Sequence, residues 1–134
     1  MKLEEFLKTG LRNRRIYEPG ITLYIRRSIR SGIDIDLATM DADEPGQGAL
    51  TRFLDKYEKR FSFFVECIHN PRLASYLERR GYFRVPYTHD VHMVNRESVY
   101  LAYRDAYAKM LRTITGRAAP SLLEEFASRP RLGG

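Results

Sequence analysis

A glycine-rich turn in the stretch PGQGALTRF, residues 45–53, is the first feature of the sequence that suggests chemistry. Gly46 and Gly48 stand where an alternating, strand-like run gives way to a helical pattern of apolar residues. The first turn of a helix presents unpaired N–H groups, and glycine lets an anion approach the backbone closely. The turn could therefore bind a phosphate, although such glycines more often serve only the turn itself. It lacks the Gly-Lys-Ser/Thr of a Walker loop and the third glycine of a dinucleotide fingerprint.

Carboxylates are the candidates for acid–base chemistry. Glu66 lies inside the apolar run FSFFVECI, where a carboxylate is costly unless it is paired or faces a cleft. Asp34 and Asp36 alternate with isoleucines, and such residues are more often simply the solvated face of a hairpin. Glu66 is therefore the more informative of the three.

Histidine and cysteine form no recognisable site. His69, His89 and His92 share no metal-ligand spacing with an acidic residue, so we expect no metal. Cys67 is the only cysteine and lies in an apolar run, which is typical of a small buried residue rather than of a nucleophile. No disulfide can form within the chain, and this favours the reducing cytoplasm.

Charge and length set broad limits on the function. The formal net charge is +6, and residues 1–32 contain eight Lys or Arg against three Glu. A nucleic acid, an anionic cofactor or a solvated surface all fit such an excess, and the solvated surface is the most common case. The 134 residues are enough for one domain. No apolar stretch approaches eighteen residues, so we expect neither a membrane span nor a signal peptide.

Apolar periodicity predicts the elements at the start of the chain. An amphipathic helix is expected over residues 2–12. Two alternating runs follow, ITLYIRRSIR and IDIDLATM, and they are predicted to pair as a hairpin. A three-residue loop that contains Gly32 would set Ile29 opposite Ile35 and keep the apolar side chains on one face.

The middle of the chain predicts a crossover. A helix follows the glycine-rich turn, and residues 61–68 are apolar on both faces, as in a strand covered by helices on both sides. Asn70 and Gly81 have the properties of the N-cap and C-cap of a short helix. Because a strand–helix–strand crossover joins parallel neighbours, the predicted fold class is α/β with a mixed sheet.

The C-terminal region is predicted to be helical over residues 96–128. After one or two short strands, a long helix over residues 96–114 carries a stripe of tyrosines, which is usually core and less often a dimer seam. Ser121 opens a last short helix, and residues 129–134 are expected to be a loose tail.

These features together resemble the acetyl-CoA-binding half of the GNAT superfamily of N-acetyltransferases. The family's pyrophosphate turn runs Arg/Gln-x-x-Gly-x-Gly/Ala, and the best overlay here is PGQGAL, from Pro45 to Leu50. The family's later Asn, which leads into a helix closed by Gly-Phe, matches Asn70 to Gly81 and the tyrosine after it. The resemblance covers residues 21–85 and is strongest to compact members encoded by phages.

The resemblance implies one GNAT-like domain over residues 1–134, with an acetyl-CoA-binding core at residues 21–85. Two neighbouring strands would splay apart to give the pantetheine arm a slot. The strand before the turn would form the edge of the slot, pair with the pantetheine and polarise the thioester carbonyl, and the turn would bind the pyrophosphate. The implied cofactor-binding residues are Thr39, Met40 and Asp41 in the strand, Gly46, Gln47, Gly48, Ala49, Leu50 and Thr51 in the turn, and Asn70 and Arg72 in the helix.

Acetyl transfer needs a neutral amine, a donor to the oxyanion and a source of protons. The candidate general bases are Glu66, Asp36 and Asp41, acting directly or through water. Many members of the family place a tyrosine seven residues after the Asn as general acid. This chain has Leu77 there, so the candidate acid is Tyr76, one position earlier.

Two functions follow from the resemblance. The first is a cytoplasmic N-acetyltransferase that uses acetyl-CoA, without a metal, to acetylate an unidentified primary amine of a small molecule or protein by direct transfer. The second is a GNAT-fold protein without catalysis, acting as a binding or assembly module in a phage particle or on a nucleic acid. Pro45, Leu50 and Leu77 favour the second, whereas Gly46, Gly48 and Asn70 favour the first. A homodimer is a further hypothesis.

Overall fold

The computed structural model, which describes residues 1–66 and 68–115, contains both helices and strands, and the strands form a mixed sheet. The α/β class expected from the sequence is therefore confirmed. Contacts divide the chain into two units, Met1–Glu66 and Cys67–Gly134, and each is described by itself.

The first unit is a mixed sheet with two helices. β1 pairs antiparallel with β2, β2 antiparallel with β3, and β3 parallel with β4. The predicted hairpin and parallel crossover are both present, and β4 is shorter than the predicted strand 61–68. The elements are α1 (Leu3–Leu7), β1 (Asn13–Glu18), β2 (Ile21–Arg27), β3 (Ile35–Ala42), α2 (Ala49–Tyr57) and β4 (Phe63–Val65).

The strand β1 was not predicted from the sequence. It joins β2 through a tight turn at Pro19 and Gly20, where Gly20 has a φ of +75°. Ile16 and Glu18 are buried, but residues 13–15 are exposed. Only two buried positions mark the alternation, which explains why the pattern was missed.

The register of the hairpin between β2 and β3 differs from the prediction. Arg27, not Ile29, lies opposite Ile35. Ile29 is 80% exposed instead of occupying the apolar face. The connecting loop is longer than expected because the Asp34 carboxylate accepts a 2.7 Å hydrogen bond from the Ser62 N–H. This contact between distant residues holds the loop, and local turn chemistry does not reveal it.

A β-bulge interrupts the pairing of β2 with β3. Tyr24 lies opposite Thr39, whereas the next residue, Ile25, lies opposite Leu37. Ala38 is therefore the extra residue on β3. A bulge shifts the alternation of the backbone groups by one position beyond it, and this shift bears on the candidate site.

The core of the first unit lies between one face of the sheet and the two helices. The Phe53 ring is 6.0 Å from the Phe63 ring and 5.1 Å from the Tyr57 ring. Burial of each such side chain stabilises the fold by roughly 1.5–3 kcal/mol. The buried core residues are Leu3, Phe6, Ile16, Leu23, Ile25, Ile35, Leu37, Phe53, Leu54, Tyr57, Phe63 and Val65.

The helix α1 is shorter than the predicted helix over residues 2–12. It ends at Leu7, and Leu11 is 41% exposed. The Arg27 side chain lies 5.2 Å over the Phe6 ring and forms hydrogen bonds with the carbonyl groups at the end of the helix. Its guanidinium donates to the carbonyl oxygens of Phe6 (3.2 Å), Leu7 (3.0 Å), Thr9 (2.8 Å) and Leu11 (3.1 Å).

The second unit confirms the short helix predicted after Asn70. The Asn70 Oδ1 accepts a 2.9 Å hydrogen bond from the Arg72 N–H, and Pro71 is the first helical residue. Gly81, with a φ of +97°, follows the end of the helix. The described elements of this unit are α3 (Pro71–Arg79), β5 (Phe83–Arg84), β6 (Met93–Val94), antiparallel to β5, and α4 (Glu97–Thr115).

The tyrosine stripe of α4 is packed at one end and exposed at the other. Tyr100 stacks on Phe83 at 5.2 Å, and Tyr107 stacks on Tyr87 at 3.9 Å. This part of the stripe packs against other aromatic rings but is only half-buried. At the far end, Ile114 is 70% exposed. The helix predicted at Ser121 and the tail at residues 129–134 lie outside the described residues.

Candidate functional site

The edge of β3 that faces β4 is paired over only part of its length. The Ile35 N–H donates to the Ser62 carbonyl at 3.1 Å, and the Leu37 carbonyl accepts from the Glu66 N–H at 3.1 Å. The backbone groups of Ile35 and Leu37 therefore face β4. The ladder between β3 and β4 ends at Leu37 and Val65.

Beyond the bulge, the groups that face this edge belong to Met40 and Ala42. The Asp43 N–H donates to the Gly20 carbonyl at 2.9 Å, on the side of β2. Backbone groups alternate along a strand, so Asp41 and Thr39 also face β2. The N–H and C=O groups of Met40 and Ala42 then point away from β2, and no described residue pairs with them. Of the strand residues predicted to bind the cofactor, Met40 thus presents its backbone at the open edge, whereas Thr39 and Asp41 do not.

The chain runs from this edge directly into the glycine-rich turn and α2. Gly46 has a φ of +84°, and Gly48, the residue before the helix, has a φ of +75°. No side chain caps the helix N-terminus. The first intrahelical bond is donated by the Arg52 N–H to the Gly48 carbonyl at 3.0 Å, so the N–H groups before it are not used within the helix.

An arginine that the sequence analysis missed lies against the turn. The Arg52 Nη1 donates to the Gln47 carbonyl at 2.7 Å, and the same nitrogen is 3.4 Å from the place where a Cβ on Gly48 would lie. Arg52 is exposed. The sequence could have indicated this contact, because a residue one helical turn after Gly48 lies on the same side of the helix as the turn. The charge of Arg52 is opposed by the exposed acidic residues Asp41, Asp43 and Glu44, which precede the turn.

A cluster of charged side chains, the ionic cluster, lies on the face of the sheet opposite the core of the first unit. Asp36 is 3% exposed, and its Oδ2 accepts a 2.7 Å hydrogen bond from the Arg30 Nη1. Arg26, opposite Asp36 on β2, has its Nε 3.8 Å from the same oxygen and also pairs with Glu66. The Arg30 guanidinium lies 4.0 Å over the Phe64 ring. The two predicted bases, Asp36 and Glu66, are thus brought together through one arginine.

Two carboxylate oxygens of this cluster are buried without a hydrogen bond, Asp36 Oδ1 and Glu66 Oε1, but the Glu66 oxygen is ion-paired with Arg26. A buried carboxylate oxygen without a partner is costly, and such atoms mark sites where a ligand or water completes the bonding. Asp36 Oδ1 is therefore able to accept one further hydrogen bond. Asp41, the third candidate base, is exposed and belongs to no such cluster.

The remaining predicted residues lie on α3 in the second unit. The Asn70 side chain is engaged as the helix cap, and Arg72 is exposed. Leu77 is fully buried, so this position packs the core, and Tyr76 is half-buried. An open pocket of about 400 Å³ is lined by Pro71, Arg72, Ser75 and Arg79, the last two of which the sequence analysis did not single out.

Within the described part of the chain, no three His, Cys, Asp or Glu side chains are close enough to share a metal ion. No helix within residues 1–66 and 68–115 has the length and apolar character to cross a membrane. Comparison with protein-family models, with curated proteins and with solved structures finds no match for this chain.

Proposed function

We propose that this chain is a compact GNAT-like N-acetyltransferase, which transfers the acetyl group of acetyl-CoA to a primary amine of a small molecule or protein. The observation that carries the proposal is the open edge of β3 at Met40 and Ala42, which leads directly into the glycine-rich turn. An amide-containing chain such as pantetheine can pair with an open strand edge through backbone hydrogen bonds.

The turn is the proposed pyrophosphate site. Gly46 and Gly48 hold backbone conformations that favour glycine, and the first turn of α2 offers N–H groups that the helix does not use. Arg52 adds a guanidinium beside the turn. Because Pro45 has no N–H, the proposed contacts come from residues 46–51 and from this arginine.

Direct transfer requires the amine nitrogen to attack the thioester carbonyl, lose a proton and expel the thiolate, which is then protonated. We assign the role of general base to Asp36, since its Oδ1 lacks a partner, and keep Glu66 as the second candidate. The Met40 N–H at the open edge is the proposed donor to the oxyanion. Tyr76 stays the proposed acid, because it is the only phenol of α3.

Acetyl-CoA should raise the melting temperature of the wild-type protein, because a ligand that binds only the folded state stabilises it by mass action. Gly48→Asp should abolish this shift by placing a negative charge at the anion site. Differential scanning fluorimetry and calorimetric titration with acetyl-CoA measure both effects.

Two control variants separate charge from backbone strain. Gly48→Ala strains the same φ of +75° without adding charge, and its Cβ would meet only the flexible end of Arg52 at 3.4 Å. Gly10→Asp adds the same charge at a glycine whose Cβ would have open space around it. If Gly10→Asp weakened binding as much as Gly48→Asp, the turn would not be the site.

A non-catalytic binding or assembly module is the second candidate function. The observation that favours it is the exposed cluster of Asp41, Asp43 and Glu44, which repels an anion at the turn. A melting curve that is unchanged in millimolar acetyl-CoA would reject the enzyme and leave this function standing.

A further inference from the structure

The edge strand β1 carries cationic side chains that the fold does not use. Arg14 and Arg15 are exposed, as is Arg12 just before the strand. Among the described residues, none forms an ion pair or a hydrogen bond with these three guanidinium groups. By contrast, Arg27 on the neighbouring strand is fully engaged at the end of α1.

Carboxylates do not neutralise this surface from within the hairpin. Glu18 is the only acidic residue of β1 and β2, and it is 7% exposed. Its Oε2 accepts hydrogen bonds from the Leu3 N–H at 2.8 Å and from the Tyr57 hydroxyl at 3.3 Å. The nearest exposed carboxylate on the face of Arg15 is Asp41, opposite Thr22 on the third strand.

Two tyrosines share this face of the hairpin with Arg15. Tyr17 lies two residues further along β1 and is 53% exposed. Tyr24 lies directly opposite Arg15 on β2 and is half-buried. Side chains two residues apart on a strand, or directly opposite on paired strands, are about 5–7 Å apart, so the three groups form one surface.

We propose that the β1–β2 hairpin binds single-stranded nucleic acid. Arginine guanidinium groups contact backbone phosphates, and aromatic rings on a sheet face stack on unpaired bases. An acidic peptide would use the charge but not the tyrosines, and duplex bases are already stacked and offer no face to Tyr17. Charged residues also protect an edge strand from pairing with another sheet, but that role does not require an exposed tyrosine. This inference does not depend on the proposed acetyltransferase activity.

The test is fluorescence anisotropy of a labelled twenty-nucleotide oligothymidylate with the full chain at several salt concentrations. Arg14 lies opposite the buried Ile25 and so points to the other face of the sheet, which leaves Arg15 as the arginine to replace. Arg15→Gln should weaken binding about threefold or more and reduce the slope of log K against log salt by about 0.7, the value for one phosphate that the variant no longer neutralises. Tyr17→Leu should weaken binding about fivefold or more and leave the slope unchanged, because stacking releases no counterions.

Arg112→Gln is the matched control, since it removes one exposed charge from α4 by the same substitution. This variant should bind as the wild type does. The proposal is overturned if the wild type does not bind, if the control loses as much affinity as Arg15→Gln, or if Tyr17→Leu has no effect. Displacement by polyglutamate at the same concentration as by unlabelled oligothymidylate would identify an acidic peptide surface instead. Melting curves verify that each variant is folded.

Discussion

At the scale of single residues, the proposed chemistry of this chain centres on Asp36. A carboxylate in an alternating hairpin is usually solvated, and the sequence favoured that interpretation. The structure instead buries Asp36, pairs its Oδ2 with Arg30 and Arg26, and leaves its Oδ1 without a partner. The register places Arg26 opposite Asp36, and the register could not be read from local turn chemistry. The sequence therefore named Asp36 and Glu66 as candidate bases, but it could not show that both pair with Arg26.

Replacement of Asp36 by Asn tests the proposed base. Asp36→Asn keeps the shape of the side chain and removes its basicity, so turnover with acetyl-CoA and an accepted amine should fall by about 10²-fold or more. Affinity for acetyl-CoA should change little, and the rate should recover at high pH, where the amine loses its own proton. Initial rates over a pH series measure both effects.

Glu66→Gln is the matched control for this variant. Either substitution breaks an ion pair with Arg26, so each should destabilise the fold by on the order of 2 kcal/mol, allowing for the partial exposure of the arginine. Only the loss of the base should cost turnover beyond this common effect. An equal loss of turnover in both variants would assign the role to the ionic cluster as a whole, and full activity in Asp36→Asn would remove Asp36 from the site.

At the scale of the elements, local signals predicted α3 and failed for α1. The Asn70 cap, Pro71 and Gly81 all act within the helix that they bound, so the sequence alone is enough to place them. The end of α1 is decided by Arg27, which lies some twenty residues away in the chain and binds the carbonyls that a longer helix would use. Contacts of this kind depend on the fold and leave no local pattern.

Arg27→Lys should destabilise the protein by about 1–3 kcal/mol, because one ammonium group cannot serve four carbonyl oxygens spread over the end of α1. Urea denaturation measures the loss, and hydrogen exchange should show faster opening of α1. Arg14→Lys, at an exposed position without such contacts, should change the free energy of unfolding by less than about 0.5 kcal/mol. A stable Arg27→Lys variant would show that the end of α1 is held by packing alone.

At the scale of the whole molecule, the first unit contains the open strand edge, the glycine-rich turn and the ionic cluster, and the second contains α3. The sequence predicted the mixed sheet and the crossover because burial and alternation are strong signals. It missed β1 because three exposed residues precede the first buried one. It therefore also missed the hairpin face that carries Arg15, Tyr17 and Tyr24. The sequence shows the excess positive charge of residues 1–32. Only the fold shows which of these arginines form hydrogen bonds or ion pairs and which do not.

Stability of the fold should depend on one buried phenol at alkaline pH. Burial raises the pKa of Tyr57, although the neighbouring Lys56 ammonium partly offsets this effect. The neutral phenol is favoured in the folded state, so its contribution is fully present below the unfolded pKa of about 10. It is lost as the pH rises above that value and through the folded pKa. Urea denaturation between pH 8 and 11 should therefore show the free energy of unfolding falling at high pH.

Tyr57→Phe should lose about 0.5–1.5 kcal/mol at neutral pH, since the hydroxyl donates to the buried Glu18 carboxylate at 3.3 Å. Above pH 10, however, its stability should fall less steeply than that of the wild type, by up to about 1.4 kcal/mol per pH unit for the one proton removed. Tyr17→Phe is the control, because this side chain is 53% exposed. If Tyr57→Phe and Tyr17→Phe gave the same alkaline slope as the wild type, the loss of stability would come from groups other than Tyr57.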